Sequence, residues 1–449
     1  MKIVLLNFLK IIRRFKMAVA LNILGLSVAF AAFMVIMMQL DYDFGFDKFH
    51  KDHDKIFRVE KNYMNNKGAL FKRPEAEIIF DSSPHIVASA VVNCWNNVAP
   101  FFVEKDGERH NYEETSLVVE PSFFDVFSFD FVEGANNGRL SPAKIIIPLS
   151  LSRKLFGDEP AVGKQIFHTY WGTQTVMAVY RDLPANSILE NYIYFAMHDS
   201  ENKDNWENGS YHAYIRIDDA ANVARLHEAI KRKIISEEII DEDDAENYYY
   251  YLTNLPDIHY ITKVAFDNTP KANKQTLMIL FAIAIVIIVI AGINFTNFST
   301  ALAPMRAKSI NTQRVFGAQL FTMRLSLVTE AVFISSLSFI FSIVLLYWFK
   351  NALIIGFLDA DLSLSNHPFI IGVTALMALL TGLLIGLYPA YYMTSYMPAM
   401  VLSSNFGLSP KGKTMRNSLI GIQFIASIAL ITCASFIYLQ NHCNYSGTP

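Results

Sequence analysis

TLMILFAIAIVIIVIAGINFTNF, residues Thr276–Phe298, decides the fold. It contains no charged residue, and it is long enough for a helix to cross a bilayer, which takes roughly 20 apolar residues. Four other runs share its character: 17–40, 325–349, 369–392 and 418–439. Between the first and second spans lies 41–274, and the charges divide along the same lines. That segment holds 38 of the 41 acidic residues against 25 of the 38 basic ones, a net of −13. The rest holds 13 basic residues and three acids, Glu330, Asp359 and Asp361. With 52% hydrophobic and 18% charged residues and a mean hydropathy of +0.26, the 449-residue chain is neither an ordinary soluble protein nor a disordered one. Its soluble part has no broad basic surface for nucleic acid. The expected fold class is a multi-span α-helical membrane protein, with a large α+β extracytoplasmic domain inserted between the first and second transmembrane helices.

The short loops set the orientation. The tail 1–16 carries Lys2, Lys10, Arg13, Arg14 and Lys16 with no acid. The loop after the second span carries Arg306, Lys308, Arg314 and Arg324, and the one after the fourth carries Lys411, Lys413 and Arg416. All three are expected in the cytoplasm. The loop after the third span, with Asp359 and Asp361, is expected outside, as is 41–274. The first span continues to Leu40, well past the core of a signal peptide, and reads as an uncleaved anchor.

Within 41–274, the segments 115–120, 144–149, 175–180 and 213–217 read as strands. Residues 223–240 have helical apolar spacing, and 150–157 reads as a short helix stopped by Gly157. Cys94 has no cysteine partner in this domain, so the fold is not held by disulfides.

Chemical motifs are sparse. His50 and His53 among Asp47, Asp52 and Asp54 are metal-ligand types, but no third ligand stands at a telling distance, and a solvated polar turn is the preferred reading. Gly157–Gln165 resembles a phosphate loop but has one residue too many between its glycines and Gln for Ser/Thr. No motif of a hydrolase, zinc peptidase or redox pair occurs. Glu330 is the one acid inside a span. It is expected at a helix interface or wet cavity, or near enough to the membrane surface to reach water. Asn294, Thr296, Asn297 and Ser299 either bond across helices or cap the end of theirs. Gly382, Gly386 and Pro389 point to close helix packing. The loop 303–323 sets Met305, Ile310, Val315, Phe316 and Leu320 among basic residues, as an amphipathic helix lying on the membrane or docked in a partner's groove would.

At that loop, INFTNFSTALAPMRAKSINTQRVFGAQ (Ile293–Gln319) resembles the permease domain of FtsX-like ABC transporter subunits. The shared pattern is Arg306, Lys308, Ile310, Arg314, Gly317 and Ala318, with Glu330 where the family often has an acid. YPAYYMTSYMPAMVL (Tyr388–Leu402) looks like the family's end to the domain's last helix. Four outer segments, Phe46–Glu60, Val119–Gly134, Ser152–Ile166 and Val179–Ile188, resemble the MacB-like periplasmic core domain in the form common in Bacteroidetes permeases. Ser309, Asn311 and Gln313 depart from the family's usual Glu, Gly and Arg. Met415–Gln440 echoes Phe15–Gln39 and reads as the start of a second repeat, 403–449, whose remainder the chain lacks.

The resemblance implies a permease domain over 275–402 and a periplasmic core domain over 41–274. It implies the inner-membrane permease subunit of an ABC transporter of the mechanotransmission type, active in export or efflux and not itself an enzyme. ATP and magnesium would be bound by a separate cytoplasmic ATPase, leaving no cofactor in this chain. Arg306, Lys308, Ile310, Arg314, Val315, Phe316, Gly317 and Ala318 would couple to that ATPase. A second permease copy or a different permease, a periplasmic adaptor or outer-membrane protein, and membrane lipid are the other implied partners. The alternatives are a permease-like regulator driving a cell-wall enzyme or sensor, and an inert half-permease.

Overall fold

The computed structural model describes residues 16–63, 66–95, 97–105, 107–134, 140–239, 250–350, 358–395 and 410–446. They form two units: Asp43–Lys274, and a helical unit made of the residues up to Tyr42 and from Gln275 on. The chain opens with α1 (Lys16–Phe44). The first unit then runs β1 (Ile56–Tyr63), β2 (Asn66–Gly68), α2 (Arg73–Phe80), β3 (Ile86–Asn93), β4 (Asn97–Lys105), β5 (Glu108–Val119), α3 (Phe123–Val126), β6 (Phe131–Glu133), β7 (Lys144–Pro148), α4 (Leu149–Phe156), β8 (Gln165–His168), β9 (Gly172–Tyr180), β10 (Ile193–Ala196), β11 (Tyr211–Ile217), α5 (Val223–Ser236), β12 (Tyr250–Asn254), α6 (Leu255–Ile258) and β13 (Val264–Ala265).

Two lobes emerge from this order. In the first, β1, α2, β3, β11, α5 and β12 make a βαββαβ unit, its antiparallel sheet ordered β12-β1-β11-β3, which is the ferredoxin-like arrangement. α5 packs through Leu226, Ile230 and Ile234, one stripe of a 3.6-residue period. The second lobe is inserted between β3 and β11. Strands β5, β10, β7, β9, β8 and β4 pair in that order, and β4 pairs back onto β5, closing a ring. Closure removes the free edges an open sheet would expose. β7 pairs in parallel with β9, and its unbroken run Ile145-Ile146-Ile147 is buried, as strands covered on both faces are. The five elements read at 115–120, 144–149, 175–180, 213–217 and 150–157 fall in β5, β7, β9, β11 and α4. The helix read at 223–240 is α5, which stops at Ser236; Ile240 lies outside the described residues.

Gly134 closes the turn after β6. Its φ is +81°, and a Cβ there would stand 2.5 Å from the Met177 carbonyl oxygen, so no other residue fits.

The polar turn 47–54 corrects the expectation of a solvated segment. Asp47 and His50 are fully buried. Asp47 Oδ1 accepts from Ser187 Oγ at 2.6 Å and from the Ile188 amide at 3.1 Å. His50 lies against Phe49 and Phe127, and its Nδ1 accepts from the Ser128 amide at 3.3 Å. The motifs Phe46–Glu60 and Val179–Ile188 thus meet through Asp47, a long-range pair that neither segment reveals alone.

The helical unit contains α1, α7 (Lys274–Ala301), α8 (Ala303–Val315), α9 (Leu320–Lys350), α10 (Pro368–Thr394) and α11 (Pro410–Ser446). Among the described residues α1, α7, α9 and α10 are long and apolar enough to cross a membrane, each overrunning its apolar stretch at both ends. α11 covers the expected fifth span, and its described apolar stretch is Asn417–Ala429. The tail 1–15, the stretch 396–409 and the last three residues lie outside the described residues.

Leu26 and Phe30 of α1, Ala284 and Ile288 of α7, Ala331 and Ile334 of α9 and Ala378 of α10 share one core. Packing in lipid favours small residues and polar cross-links, because leaving lipid for a helix neighbour removes little apolar surface from water. α9 and α10 have both. Ser335 Oγ donates to the Ala378 carbonyl at 2.6 Å. A Cβ on Gly382 would come within 2.7 Å of the Val332 Cα, and one on Gly386 within 2.7 Å of the Ala331 Cβ. Gly382→Val should therefore lower the thermal midpoint of the full chain in detergent, by a stability loss of about 1–3 kcal/mol. Gly372→Val, where a Cβ meets nothing within 4 Å, should leave it within error. Equal midpoints would show that α9 and α10 do not pack at Gly382.

Candidate functional site

The residues singled out by the sequence converge on α8 and the turn after it. The helix starts with Pro304 in its first turn, where the missing N–H costs nothing. It ends in a Schellman motif: the Gly317 amide donates to the Arg314 carbonyl at 3.0 Å and the Ala318 amide to the Gln313 carbonyl at 3.1 Å. Gly317 has φ +89°, which glycine adopts without penalty. The Gly-Ala of the motif is thus a helix stop, and it leaves Phe316 projecting from the last turn.

The two faces of α8 differ. Ala303 and Asn311 are buried and Arg306, Ile310 and Arg314 are half-buried. These positions share one helical face, and it is the inward one. The outward face carries Thr312, Gln313 and the apolar Met305, Val315 and Phe316, the last three 57%, 61% and 87% exposed. Ala318 is half-buried in the following turn. α8 is therefore held inward largely by polar and charged groups and shows apolar side chains outward. The Lys308 side chain lies outside the described residues.

The strongest tie runs from α8 to α9. Arg306 Nη2 stands 2.6 Å from both carboxylate oxygens of Glu330, with both side chains about nine-tenths buried. The structure joins two residues read separately, one as a coupling residue and one as an acid in a span: Glu330 faces α8, and its counter-ion is Arg306. Such charge-assisted bonds are short and strong. Asn311 and Arg314 also have partners.

A further contact was not anticipated. Arg324 Nε donates to Thr394 Oγ1 at 2.9 Å, and its guanidinium lies 3.8 Å from the centre of the Tyr391 ring. It ties the start of α9 to the end of α10, inside the Tyr388–Leu402 motif. The signal was present as a lone arginine at the head of an apolar run. Of the four polar residues read at the inner end of the second span, Thr296 donates its hydroxyl to the Gly292 carbonyl one turn back in α7, as the nearby Thr300 does to the Thr296 carbonyl.

Among the described residues, no group of three or more His, Cys, Asp and Glu could hold a metal. Gly157–Gln165 is the turn from α4 to β8. Its Gly163 and Ala161 amides are used internally, by the Val176 carbonyl and the Glu133 carboxylate.

Residues 19–233 match the family model described as MacB-like periplasmic core domain, and 281–398 match FtsX-like permease C-terminal. The chain belongs to the MacB/FtsX-like permease family. Three solved structures are similar to part of this chain. A domain of a permease protein from Porphyromonas gingivalis is 20% identical and covers 51% of this chain and 99% of its own, TM-score 0.39. The extracellular domain of the noncanonic ABC-type transporter YknZ from Gram-positive bacteria is 15% identical, covering 44% and 100%, TM-score 0.30. The periplasmic region of MacB from Actinobacillus actinomycetemcomitans is 12% identical, covering 45% and 90%, TM-score 0.32. No curated protein matches the chain. As a MacB/FtsX-like permease it is a membrane protein with an extracellular domain and a transporter subunit of the ABC type. The family in general works with an ABC ATPase and as dimers.

Two predictions follow from these buried charges. Removing Arg306 alone leaves a buried carboxylate without its counter-ion, so Arg306→Leu should cost about 3 kcal/mol or more. Adding Glu330→Leu should recover most of that loss in detergent unfolding, and additive losses would show that the two do not pair. For Asp47, burial pushes the carboxyl up to about 7, against the lowering effect of the Ser187 and Ile188 bonds. An acid raised in the fold holds its proton longer folded than unfolded. Its stabilising contribution is complete below the unfolded value and is lost as pH rises through about 7. Asp47→Asn should therefore gain on the unaltered chain between about pH 4 and 8, by about 1–4 kcal/mol. A difference that stays flat with pH would show Asp47 ionised throughout.

Proposed function

We propose that this chain is the transmembrane permease subunit of an ABC transporter of the mechanotransmission type. A separate ATPase binds ATP and magnesium on the cytoplasmic side, and its cycle moves the domain outside the membrane. The basic tail and the basic α8 region lie in the cytoplasm by the positive-inside rule, which puts Asp43–Lys274 on the other side, in the periplasm.

The observation that carries this reading is the exposed apolar face of α8. Arg306 ties the helix to Glu330 of α9 and leaves Met305, Val315 and Phe316 exposed on the other side, a face that a protein groove can take. Phe316 is the anchor. Arg306–Glu330 passes a displacement of α8 to α9, and Arg324 passes it from α9 to α10. Work is then done on a periplasmic partner or an exported substrate by rigid movement of the outer domain. Two states with different ATPase contacts are required for such coupling, and a permease dimer supplies the second subunit.

Affinity purification from native membranes in mild detergent, followed by mass spectrometry, tests this. A P-loop ATPase should co-purify with the unaltered chain and fall by about tenfold or more with Phe316→Asp, as loss of a buried aromatic anchor does. Membrane insertion should be unchanged. Equal recovery of the ATPase would overturn the docking role.

A further inference from the structure

Two adjoining clefts open on the ferredoxin-like lobe, where β1 ends, α2 begins and α5 stops. One, of about 350 Å3, is lined by Lys61, Lys72, Glu75, Trp206, Glu237 and Glu238. The other, of about 340 Å3, shares Lys61 and Lys72 and runs on past Leu70 and Phe266, with Gly68 and Gly209 in its wall. The two lysines stand where the clefts meet. Each cleft is of the size that small molecules occupy, and both lie within Asp43–Lys274.

Of the charges here, some are spent and two are not. Lys61 Nζ is 2.6 Å from Glu75 Oε2, and Glu75 also accepts from the Tyr250 hydroxyl at 3.0 Å. Glu237 pairs with Lys233 of α5 at 2.7 Å. Among the described residues, Lys72 and Glu238 enter no ion pair. Lys72 is half-buried and lies 6.0 Å from the centre of the Trp206 ring. Glu238 follows the last turn of α5, whose free carbonyls form the negative pole of the helix and favour a cation. One cleft therefore presents an unmatched positive group and an unmatched negative group, and the other is mainly apolar.

The backbone is strained at the same place. Glu238 has φ +53° and Phe266 φ +61°, in a region that bulky residues avoid. At 238 the strain closes α5. The Glu238 amide donates to the Ile235 carbonyl at 3.1 Å and the Ile239 amide to the Ile234 carbonyl at 3.2 Å, a Schellman turn with Glu in the position that glycine fills more cheaply. Phe266 lies on the strap between α6 and α7. Asp267 beside it is held by Arg58 and Lys271, each at 2.7 Å, which fixes the ring from behind and leaves it 50% exposed. Strained residues of this kind gather at ligand sites, where the strain places a side chain that relaxation would withdraw.

We propose that the two clefts together bind a small zwitterion with an apolar side group, an apolar α-amino acid. Its ammonium lies at Glu238, its carboxylate at Lys72, and its side chain between Leu70 and Phe266. The site stands whether or not α8 docks on an ATPase, since every residue in it belongs to the outer unit.

The test is calorimetric titration of the full chain in lipid nanodiscs with free L-leucine, against empty nanodiscs. L-leucine should bind, and N-acetyl-leucine and leucine amide, which each lack one of the two charges, should bind about tenfold or more weaker. Lys72→Gln and Glu238→Gln should each weaken L-leucine by about tenfold, the worth of a hydrogen bond to a charged group. Phe266→Gly relieves the strained φ, so its thermal midpoint should hold or rise while L-leucine affinity falls. Absence of binding at millimolar L-leucine overturns the proposal. So does equal binding of the two blocked derivatives, which would show that the charges are not read. Full affinity in Lys72→Gln and Glu238→Gln would place L-leucine elsewhere and overturn it too.

Discussion

A carboxylate on an apolar helix has to find a partner, and in the helical unit that requirement organises the rest. Glu330 sits on α9 beside Ala331 and Val332, the residues against which Gly386 and Gly382 of α10 pack. The absence of a side chain at those glycines lets α10 come close, and α8 packs alongside it. Arg306 then reaches Glu330 with a single guanidinium nitrogen over both oxygens. Removing either charge leaves the other stranded where solvation is poor. Close helix packing and the buried ion pair are therefore one arrangement, and it fixes where the short helix α8 stands.

The outer unit solves a different problem by different means. A mixed sheet of many strands has edges, and closure of β5, β10, β7, β9, β8 and β4 into a ring hides most of them. The ferredoxin-like lobe is then free to carry the segments on either side of the membrane helices, and its polar interior serves those segments. Arg58, Glu60 and Asp267 lie buried together, a costly arrangement in a sheet core unless each charge is met. Here the charges join β1 to the strap before α7, so they hold a connection and not only a fold.

Much of this was legible in the sequence, and the parts that were not share a cause. Helix spans follow from runs of apolar residues, and α4, α5, β5, β7, β9 and β11 follow from local periodicity. Glu330 and Arg306 were each conspicuous, one as an acid in a span and one as a base in a short loop, but nothing in either segment fixes their separation in space. Asp47 and His50 read as a solvated turn because their neighbours Lys48, Lys51 and Asp52 are polar. Their burial depends on Ser187, Ile188 and Ser128, far away in the chain. On α8 the inward turn of Arg306 likewise depends on a distant residue, Glu330 of α9.

The faces of α8 also bear on the departures from the family pattern. Asn311 stands where a glycine is usual, on the inward face, and is 1% exposed. A buried amide is costly unless it is met, and Asn311 is not without a partner. Gln313 replaces a usual arginine on the outward face, where its carbonyl closes the Schellman turn and its side chain is exposed. The substitution removes a positive charge from the surface next to Phe316. On the proposed docking reading, recognition at this tip would lean more on the apolar contact and less on charge. Contacts of that kind lose little strength with added salt, whereas a ring of surface arginines would be screened. Gly317 and the Arg306 tie set the geometry of α8, whereas Gln313 leaves the surface beside Phe316 without a charge.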